Sequence, residues 1–386
     1  MSKDGDMGRI IGVVTTGIYC LADGCSGRPL PSNTRRFDTA VAAEASGLRS
    51  CHLCRPYRQE PLSTWVGTEL ICRAVRLILD GALHGANESE LAAELGVSAR
   101  HLRRRFLEEV GTTPVQLARS SRAHFARRLL DDTDLSITEI AFAAGFGSVR
   151  QFNRTMQEIF REPPRRLRQR RRSRDRLVAD GGLPLRLPVE KPIEFERLLA
   201  ELEQRAIPGV EAVQGDVYRR IIEVDGAPGV LEILPGEHDY LLARLHLPHW
   251  EGLIHLSRRA RRIFRLDEWE AVDAPGAWDA FEVGVASILQ RTGHPRRTLQ
   301  ALVSELGTAV PGLGEWDLTH MFPGPDAIAD ADLDDLGDDT ALLLHEWAKT
   351  MSSVDLGRLD AVALAQIGEQ RDFPRWLIDD VALRLP

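Results

Sequence analysis

Residues 136–154 read Ser-Ile-Thr-Glu-Ile-Ala-Phe-Ala-Ala-Gly-Phe-Gly-Ser-Val-Arg-Gln-Phe-Asn-Arg. Ser136 followed three positions later by Glu139 is a capping box, so a helix starts at Ile137. Ala144-Gly145-Phe146-Gly147 turns the chain, and Ser148 caps a second helix that opens with Val149 and Arg150. A short helix, a glycine turn and an arginine-bearing second helix make a helix-turn-helix, whose second helix is sized for a DNA major groove. Arginine forks onto guanine, glutamine or asparagine onto adenine, and further arginines reach phosphate. Ser148, Arg150, Gln151, Asn153 and Arg154 are therefore candidate DNA contacts.

The same arrangement occurs once before. Leu91, Ala92 and Leu95 lead to Gly96, then Ser98 caps Ala99-Arg100-His101-Leu102-Arg103-Arg104-Arg105-Phe106. The candidate contacts here are Ser98, Arg100, His101, Arg104 and Arg105. One such segment also describes a solvated arginine face. Two in tandem, joined by a helix at about 116–130, specify a double helix-turn-helix, which reads two adjacent grooves of duplex DNA without a dimer. Ile71, Val75, Ile78 and Leu79 form a helical stripe ahead of it. Arg165–Arg176 holds eight arginines and reads equally as a phosphate clamp or a solvated linker.

Charge separates this middle from its flanks. The chain has 386 residues and a formal charge of −8, enough for two to four domains. Residues 1–66 carry net +2, residues 67–176 carry +7 with arginine as the only cation, and residues 177–386 carry −17. A polyanion partner is thus expected of the middle segment. The sequence contains no run of eighteen apolar residues, so no membrane-spanning helix is expected and no membrane partner. The first residues carry Lys3 and Arg9 without an apolar stretch; no secretory signal is expected, and the expected address is the cytoplasm, at the nucleoid.

Four of the five cysteines lie within 35 residues, as Cys20-x4-Cys25 and Cys51-x2-Cys54; Cys72 stands apart in a helical pattern and reads as a buried thiol. In a reducing compartment such pairs read as metal ligands before disulfides. Four thiolates suit one Zn2+, and a metal staple suits a unit too small for a large core. A closed four-cysteine site is by itself a structural knot.

Beyond a boundary at Asp180-Gly181-Gly182, a helix is expected at about 192–206. Strands are expected at Val217–Val224, Gly229–Leu234 and Tyr240–Leu247, an α+β unit. Helix returns from about 249. The expected fold is multidomain and mainly α with α+β parts. Its expected divisions are a zinc-stapled α+β domain at 1–62, an all-α double helix-turn-helix at 67–174, an α+β domain at 183–265 and a helical domain at 266–386, with a linker around Leu62–Trp65.

Three resemblances follow from these residues. Thr15-Thr16-Gly17-Ile18-Tyr19-Cys20, Pro31-Ser32-Asn33, Phe37 and Gly47–Pro56 resemble the zinc domain of Ada-type adaptive-response proteins. Ile137, Ile140, Ala141, Gly145, Phe146, Ser148, Phe152 and Arg154 stand in the register of the AraC-type motif I-x2-I-A-x3-G-F-x-S-x3-F-x-R. Leu185–Val189, Pro208-Gly209-Val210-Glu211 and Tyr218-Arg219-Arg220 resemble AlkA-type 3-methyladenine DNA glycosylases. The whole chain resembles Ada–AlkA fusions.

The resemblance implies that Cys20 accepts a methyl group from a DNA methylphosphotriester. A zinc-bound cysteine is held as the nucleophilic thiolate, and methylation takes the site from net −2 to −1, which strengthens DNA binding. It also implies a regulator of the alkylation response, with duplex DNA as partner at both operator and methylated backbone, and RNA polymerase as a second candidate partner. Asp380, in Asp380-Val381-Ala382-Leu383-Arg384, matches the glycosylase aspartate. Several features depart from the families, two of them at the sites themselves. Four residues, not three, separate Cys20 from Cys25. The glycine-rich L-P-G-I-G hairpin is matched only by Leu364-Ala365-Gln366-Ile367-Gly368-Glu369, twelve positions before Asp380. With the net −17 and an end at Pro386, the expectation is a helical remnant of a helix-hairpin-helix glycosylase without activity. An active base-excision glycosylase, with tryptophans stacking on bases, stays open as an alternative, as does a regulator with purely structural zinc.

Overall fold

The computed structural model describes residues 9–25, 30–59, 62, 65–84, 87–172, 175–177, 181–189, 193–237, 239–267 and 275–385. Ser63 and Thr64 of the expected linker, Asp180 of the expected boundary, Arg174 of the arginine tail and Trp269 lie outside the described residues. The chain forms two compact units, Met1–Leu177 with Trp250–Leu256, and Val178–His249 with Ser257–Pro386. Among the described residues, no helix is long and apolar enough to cross a membrane.

The first unit begins with a four-stranded sheet made of β1 (Ile10–Val13), β2 (Ile18–Leu21), β3 (Thr34–Phe37) and β4 (Arg49–Ser50), with α1 (Ala40–Ala45) between the last two. The order is β3-β1-β2-β4; β1 pairs antiparallel with β2 and β3, and β2 runs parallel to β4. Among the described residues its buried core is Ile10, Tyr19, Phe37, Ala43 and Leu48, with Leu21, Ala40 and Ala42 packed against them, far less than a unit of this length needs without a staple.

Among the described residues, seven helices follow: α2 (Glu69–Leu79), α3 (Glu88–Glu94), α4 (Ala99–Glu109), α5 (Pro114–Asp132), α6 (Ile137–Ala143), α7 (Val149–Phe160) and α8 (Pro164–Gln169). The starts are set by side chains. Asn87, Ser98, Thr113, Ser136 and Ser148 each accept a backbone N–H of the first turn, and Thr113–Gln116 and Ser136–Glu139 are complete capping boxes. Gly96 at φ +69° and Gly145 at φ +76° make the two turns, a conformation that costs side-chain-bearing residues about 1–2 kcal/mol. Leu102 and Phe106 anchor α4, and Phe152, Met156 and Phe160 anchor α7. The arginine tail is tied down by hydrogen bonds and ion pairs. Its first residues, Arg165–Gln169, lie in α8, and the described residues are fastened to their own unit through Arg168 to the Leu135 carbonyl, Arg170 to Glu162, and Arg171 and Arg176 to Asp134.

The second unit holds β5 (Leu183–Pro188), α9 (Phe195–Arg205), β6 (Glu211–Gln214), β7 (Val217–Val224), β8 (Ala227–Pro235) and β9 (Tyr240–His246). They form an antiparallel sheet in the order β5-β9-β8-β7-β6. After α10 (Leu253–Ile263) come α11 (Ala280–Leu289), α12 (Pro295–Leu306), α13 (Pro325–Ala329), α14 (Asp338–Met351), α15 (Ala361–Arg371) and α16 (Arg375–Ala382). Trp347, Phe281, Val285, Leu364 and Leu377 lie in one core.

The hairpin expected at Leu364–Glu369 is corrected by the structure. Those residues are internal to α15, and the turn falls at Asp372-Phe373-Pro374. Gly368 serves packing instead. A Cβ there would meet Ile378 Cγ1 at 2.6 Å, so its absence lets α15 and α16 approach closely.

Candidate metal centre and nucleic-acid interface

Cys20 sits on β2, Cys25 follows the turn after it, Cys51 follows β4, and Cys54 closes the next turn. The parallel pairing of β2 with β4 brings the two cysteine pairs together. All four sulfurs lie within 4.8 Å of one another, with Cys25 and Cys51 Sγ 3.7 Å apart. Tetrahedral zinc with sulfur at about 2.3 Å needs sulfurs about 3.8 Å apart. The fifth cysteine, Cys72 on α2, donates to the Gly67 carbonyl instead.

The four-residue spacing is absorbed locally. Gly24 N donates to the Leu21 carbonyl at 3.1 Å, closing a turn over the extra residue. A Cβ on Gly24 would strike Cys54 Cβ at 2.6 Å, so only glycine admits this approach. Asp23 points to solvent.

Burial and mutual hydrogen bonds split the titration of three of the thiols. The hydrogen bond to Cys54, with burial, pushes Cys20 far up; burial and Cys54 push Cys25 up to about 11; donation from Cys20 draws Cys54 down to about 5. Four sulfurs this close ionise together only around a positive charge. The donor set and spacing fit one Zn2+ ion.

On α4, Arg100 and Arg104 are exposed and His101 and Arg105 half-exposed; on α7, Arg150, Gln151, Asn153 and Arg154 are all exposed. Ser98 and Ser148 accept from His101 N and Gln151 N, as caps, which leaves each hydroxyl proton for a phosphate oxygen. Arg105 is partly committed, 2.6 Å from Glu109. Arg103 is exposed beside Arg104, and its place in the Arg103-Arg104-Arg105 run was the available signal for it.

Sequence reasoning passed over a polar stripe on α5. Ser120, His124, Arg127 and Asp131 are spaced four, three and four residues apart, hence on one face, and all are buried. The metal-bearing segment covers them. Glu44 of α1 accepts from Tyr19 Oη, Ser120 Oγ and His124 Nε2, each at 2.6 Å. His124 and its partners outweigh burial and hold the Glu44 carboxyl below its usual range. Beyond Cys54, Tyr57 and Arg58 bond Asp131 and Asp132, and Arg55 pairs with Asp175 at 2.7 Å.

In the second unit, Asp380 lies on α16, where Ser287 of α11 donates to it and Arg384 Nη2 stands 3.5 Å away. Trp347 is core, and Arg220 and Arg259 lie over the Trp278 ring at 4.8 and 4.0 Å. Trp316 and Trp376 stack with Arg219 and Arg291.

These features define a class: a double helix-turn-helix DNA-binding protein with a four-cysteine zinc site and a further α+β and helical unit. Family models agree segment by segment, as the metal binding domain of Ada over residues 4–57, a helix-turn-helix domain over 91–170 and the AlkA N-terminal domain over 184–275. The probable bifunctional transcriptional activator/DNA repair enzyme AlkA of Mycobacterium tuberculosis (strain CDC 1551 / Oshkosh) is 33% identical over 353 residues, 84% of this chain and 70% of that protein. The HTH-type transcriptional regulator GlxA of Rhizobium meliloti (strain 1021) is 42% identical over 84 residues, 22% of this chain and 26% of that one. Among solved structures, a 3-methyladenine DNA-glycosylase from Archaeoglobus fulgidus aligns at 16% identity and a TM-score of 0.41, over 51% of this chain and 77% of its own. The chain belongs to the family of bifunctional transcriptional activator/DNA repair enzymes that join an Ada zinc domain, an AraC-type helix-turn-helix and an AlkA-type half.

Proposed function

We propose that this chain is a sequence-specific regulator of the alkylation-damage response, with Cys20 as acceptor of a methyl group from DNA methylphosphotriesters. The observation that carries the reading is the gathering of four cysteine sulfurs within 4.8 Å in the same unit as two capped, arginine-faced recognition helices. Bound zinc holds the sulfurs as thiolates at neutral pH. The Cys20 sulfur attacks the methyl carbon; the S–C bond forms, the C–O bond breaks, and its electron pair stays on oxygen, leaving a phosphodiester and a thioether. One negative charge is lost from the protein face that meets phosphate, so affinity for duplex DNA rises.

Ser98, Arg100, His101, Arg104 and Arg105 serve the first groove, and Ser148, Arg150, Gln151, Asn153 and Arg154 the second. RNA polymerase is the further partner a regulator of this class implies, and the cytoplasm its place of action. The working parts are residues 1–62, 67–174, 183–265 and 266–386.

The glycosylase half is assigned no base-excision activity. The α15–α16 turn offers a phosphate little. Phe373 N already bonds the Gly368 carbonyl, Pro374 has no N–H, and Asp372 brings like charge. Asp380 is engaged by Ser287 and Arg384.

Intact-protein mass after incubation with DNA carrying methylphosphotriesters tests the reading. One methyl increment of roughly 14 Da, absent in Cys20→Ser, is expected from a thiolate acceptor. No increment with zinc still bound leaves a zinc-stapled regulator. Arg150→Ala with zinc retained is expected to lose duplex binding, and unchanged binding removes α7 as the reader.

A further inference from the structure

Two chains of contacts run from the metal site to the recognition helix α7, and both end on Phe160. On the Cys20 side, Tyr19 is fully buried and its hydroxyl bonds Glu44, which also binds His124. The His124 ring packs on Phe160 with centroids 5.8 Å apart. On the Cys54 side, Tyr57 meets the same Phe160 ring edge-on at 5.9 Å, while its hydroxyl bonds Asp131 and its ring lies under Arg127 at 4.9 Å. Phe160 is the last residue of α7 and is buried.

The chemistry of this interface is informative. A permanent contact between two small bodies is most cheaply apolar. Here the face of α5 covered by the metal-bearing segment is the stripe Ser120, His124, Arg127 and Asp131: Glu44 bonds Ser120 and His124, Tyr57 and Arg58 bond Asp131, and Arg127 lies over the Tyr57 ring. Such a face tolerates water if the contact loosens, but it is held in register only while every partner is in place. Glu44 is the point of greatest consequence, since its one carboxylate joins β2, α1 and α5.

We propose that Glu44 couples the metal centre to α7, so that metal loading and duplex binding strengthen each other through Tyr19, Glu44, His124 and Phe160 rather than through DNA contact alone. The inference rests on α7 reading DNA, and it needs no methyl transfer.

Linkage makes it measurable, because coupling between two binding events is reciprocal. Zinc affinity of the full chain is measured by competition with a chelating dye, with and without an unmethylated duplex selected from a random pool by the parent protein. Bound duplex is expected to tighten zinc retention by about tenfold, within the usual range of such couplings. Glu44→Gln, which keeps size and one acceptor oxygen, is expected to reduce the factor to less than about twofold while zinc stoichiometry stays at one. Should Glu44→Gln fail to fold, Ser120→Ala removes a single donor to the same carboxylate and is expected to lower the factor in the same direction. Equal zinc affinity with and without bound duplex overturns the inference. A factor that survives both substitutions also overturns it, because coupling by direct DNA contact does not depend on Glu44. Duplex binding unaffected by Arg150→Ala is a different failure, that of α7 as reader.

Discussion

Tyr57 Oη donates to Asp131 Oδ2 at 2.9 Å, joining the segment just after the metal ligands to a helix 74 residues further along the chain. Asp131 is completely buried and is also bonded by Arg127 and Arg58. Removing the tyrosine hydroxyl deletes one bond to a buried charge, at a cost of about 1–3 kcal/mol. Removing the carboxylate leaves the buried Arg127 without its acid partner, and such breaks cost about 3–5 kcal/mol. Tyr57→Phe is therefore expected to lower the urea midpoint of the first unit modestly, and Asp131→Ala severely, by circular dichroism. Equal effects count against Asp131 as the hub.

The metal is expected to carry the fold of residues 9–59. Five core residues cannot offset the ordering of this segment, and structural zinc supplies folding free energy directly. Cys51→Ser, at the one buried ligand, is expected to drop bound zinc from one ion toward none and to abolish amide protection over β1–β4. The unfolding of the second unit, followed by Trp278, Trp316, Trp347 and Trp376, stays as in the parent. Protection retained without metal would show that the sheet stands on its own.

The second helix-turn-helix offers separable tests of turn and cap. A Cβ on Gly145 would find its nearest neighbours at 3.6 Å, ordinary contact, so Gly145→Ala meets strain at φ +76° and no clash. The expected cost is about 1–2 kcal/mol. Ser148→Ala removes the acceptor for Gln151 N, at about 1 kcal/mol. Both are expected to weaken duplex binding and lower thermal stability, with alanine at Gly145 the worse of the two. The reverse order would mean that the cap, not the turn, sets the angle of α7.

What the sequence disclosed depended on how local the determinant was. The caps at Ser98, Ser136 and Ser148, the turns at Gly96 and Gly145 and the strand Val217–Val224 are set by neighbours a few residues away, and the structure has them where the residues put them. Cys20, Cys25, Cys51 and Cys54 were legible because metal ligands come in spaced pairs. Strand β5 was not read as a strand because its two prolines hide the pattern, and β6 was missed because it is four residues long. Gly368 misled because glycine marks a turn and a close helix contact alike. The stripe Ser120–His124–Arg127–Asp131 looks like an ordinary wet face of α5. Only the fold shows that Glu44 and Tyr57, far away in sequence, cover it.

The buried pair Arg220–Glu282 in the second unit gives a pH signature. Arg220 Nη2 reaches both Glu282 oxygens at 2.7 and 2.8 Å and Nη1 reaches Glu211 at 2.9 Å. Burial, opposed by Arg220, pushes the Glu282 carboxyl up from an ordinary 4.5 to about 7. The native state therefore keeps a proton that the unfolded chain releases between those values. Where the native state binds more protons, stability falls as pH rises. The contribution of Glu282 is thus greatest below about pH 4.5, declines through the window and levels off above about 7, a span on the order of 3 kcal/mol. In Glu282→Gln the amide has no proton to release and still accepts from Arg220, so the difference in stability between parent and variant is expected to shift against the parent from pH 5 to pH 7.5. Urea unfolding followed by tryptophan fluorescence at the two pH values measures it. A difference that stays constant with pH would mean Glu282 is already ionised throughout, held so by Arg220.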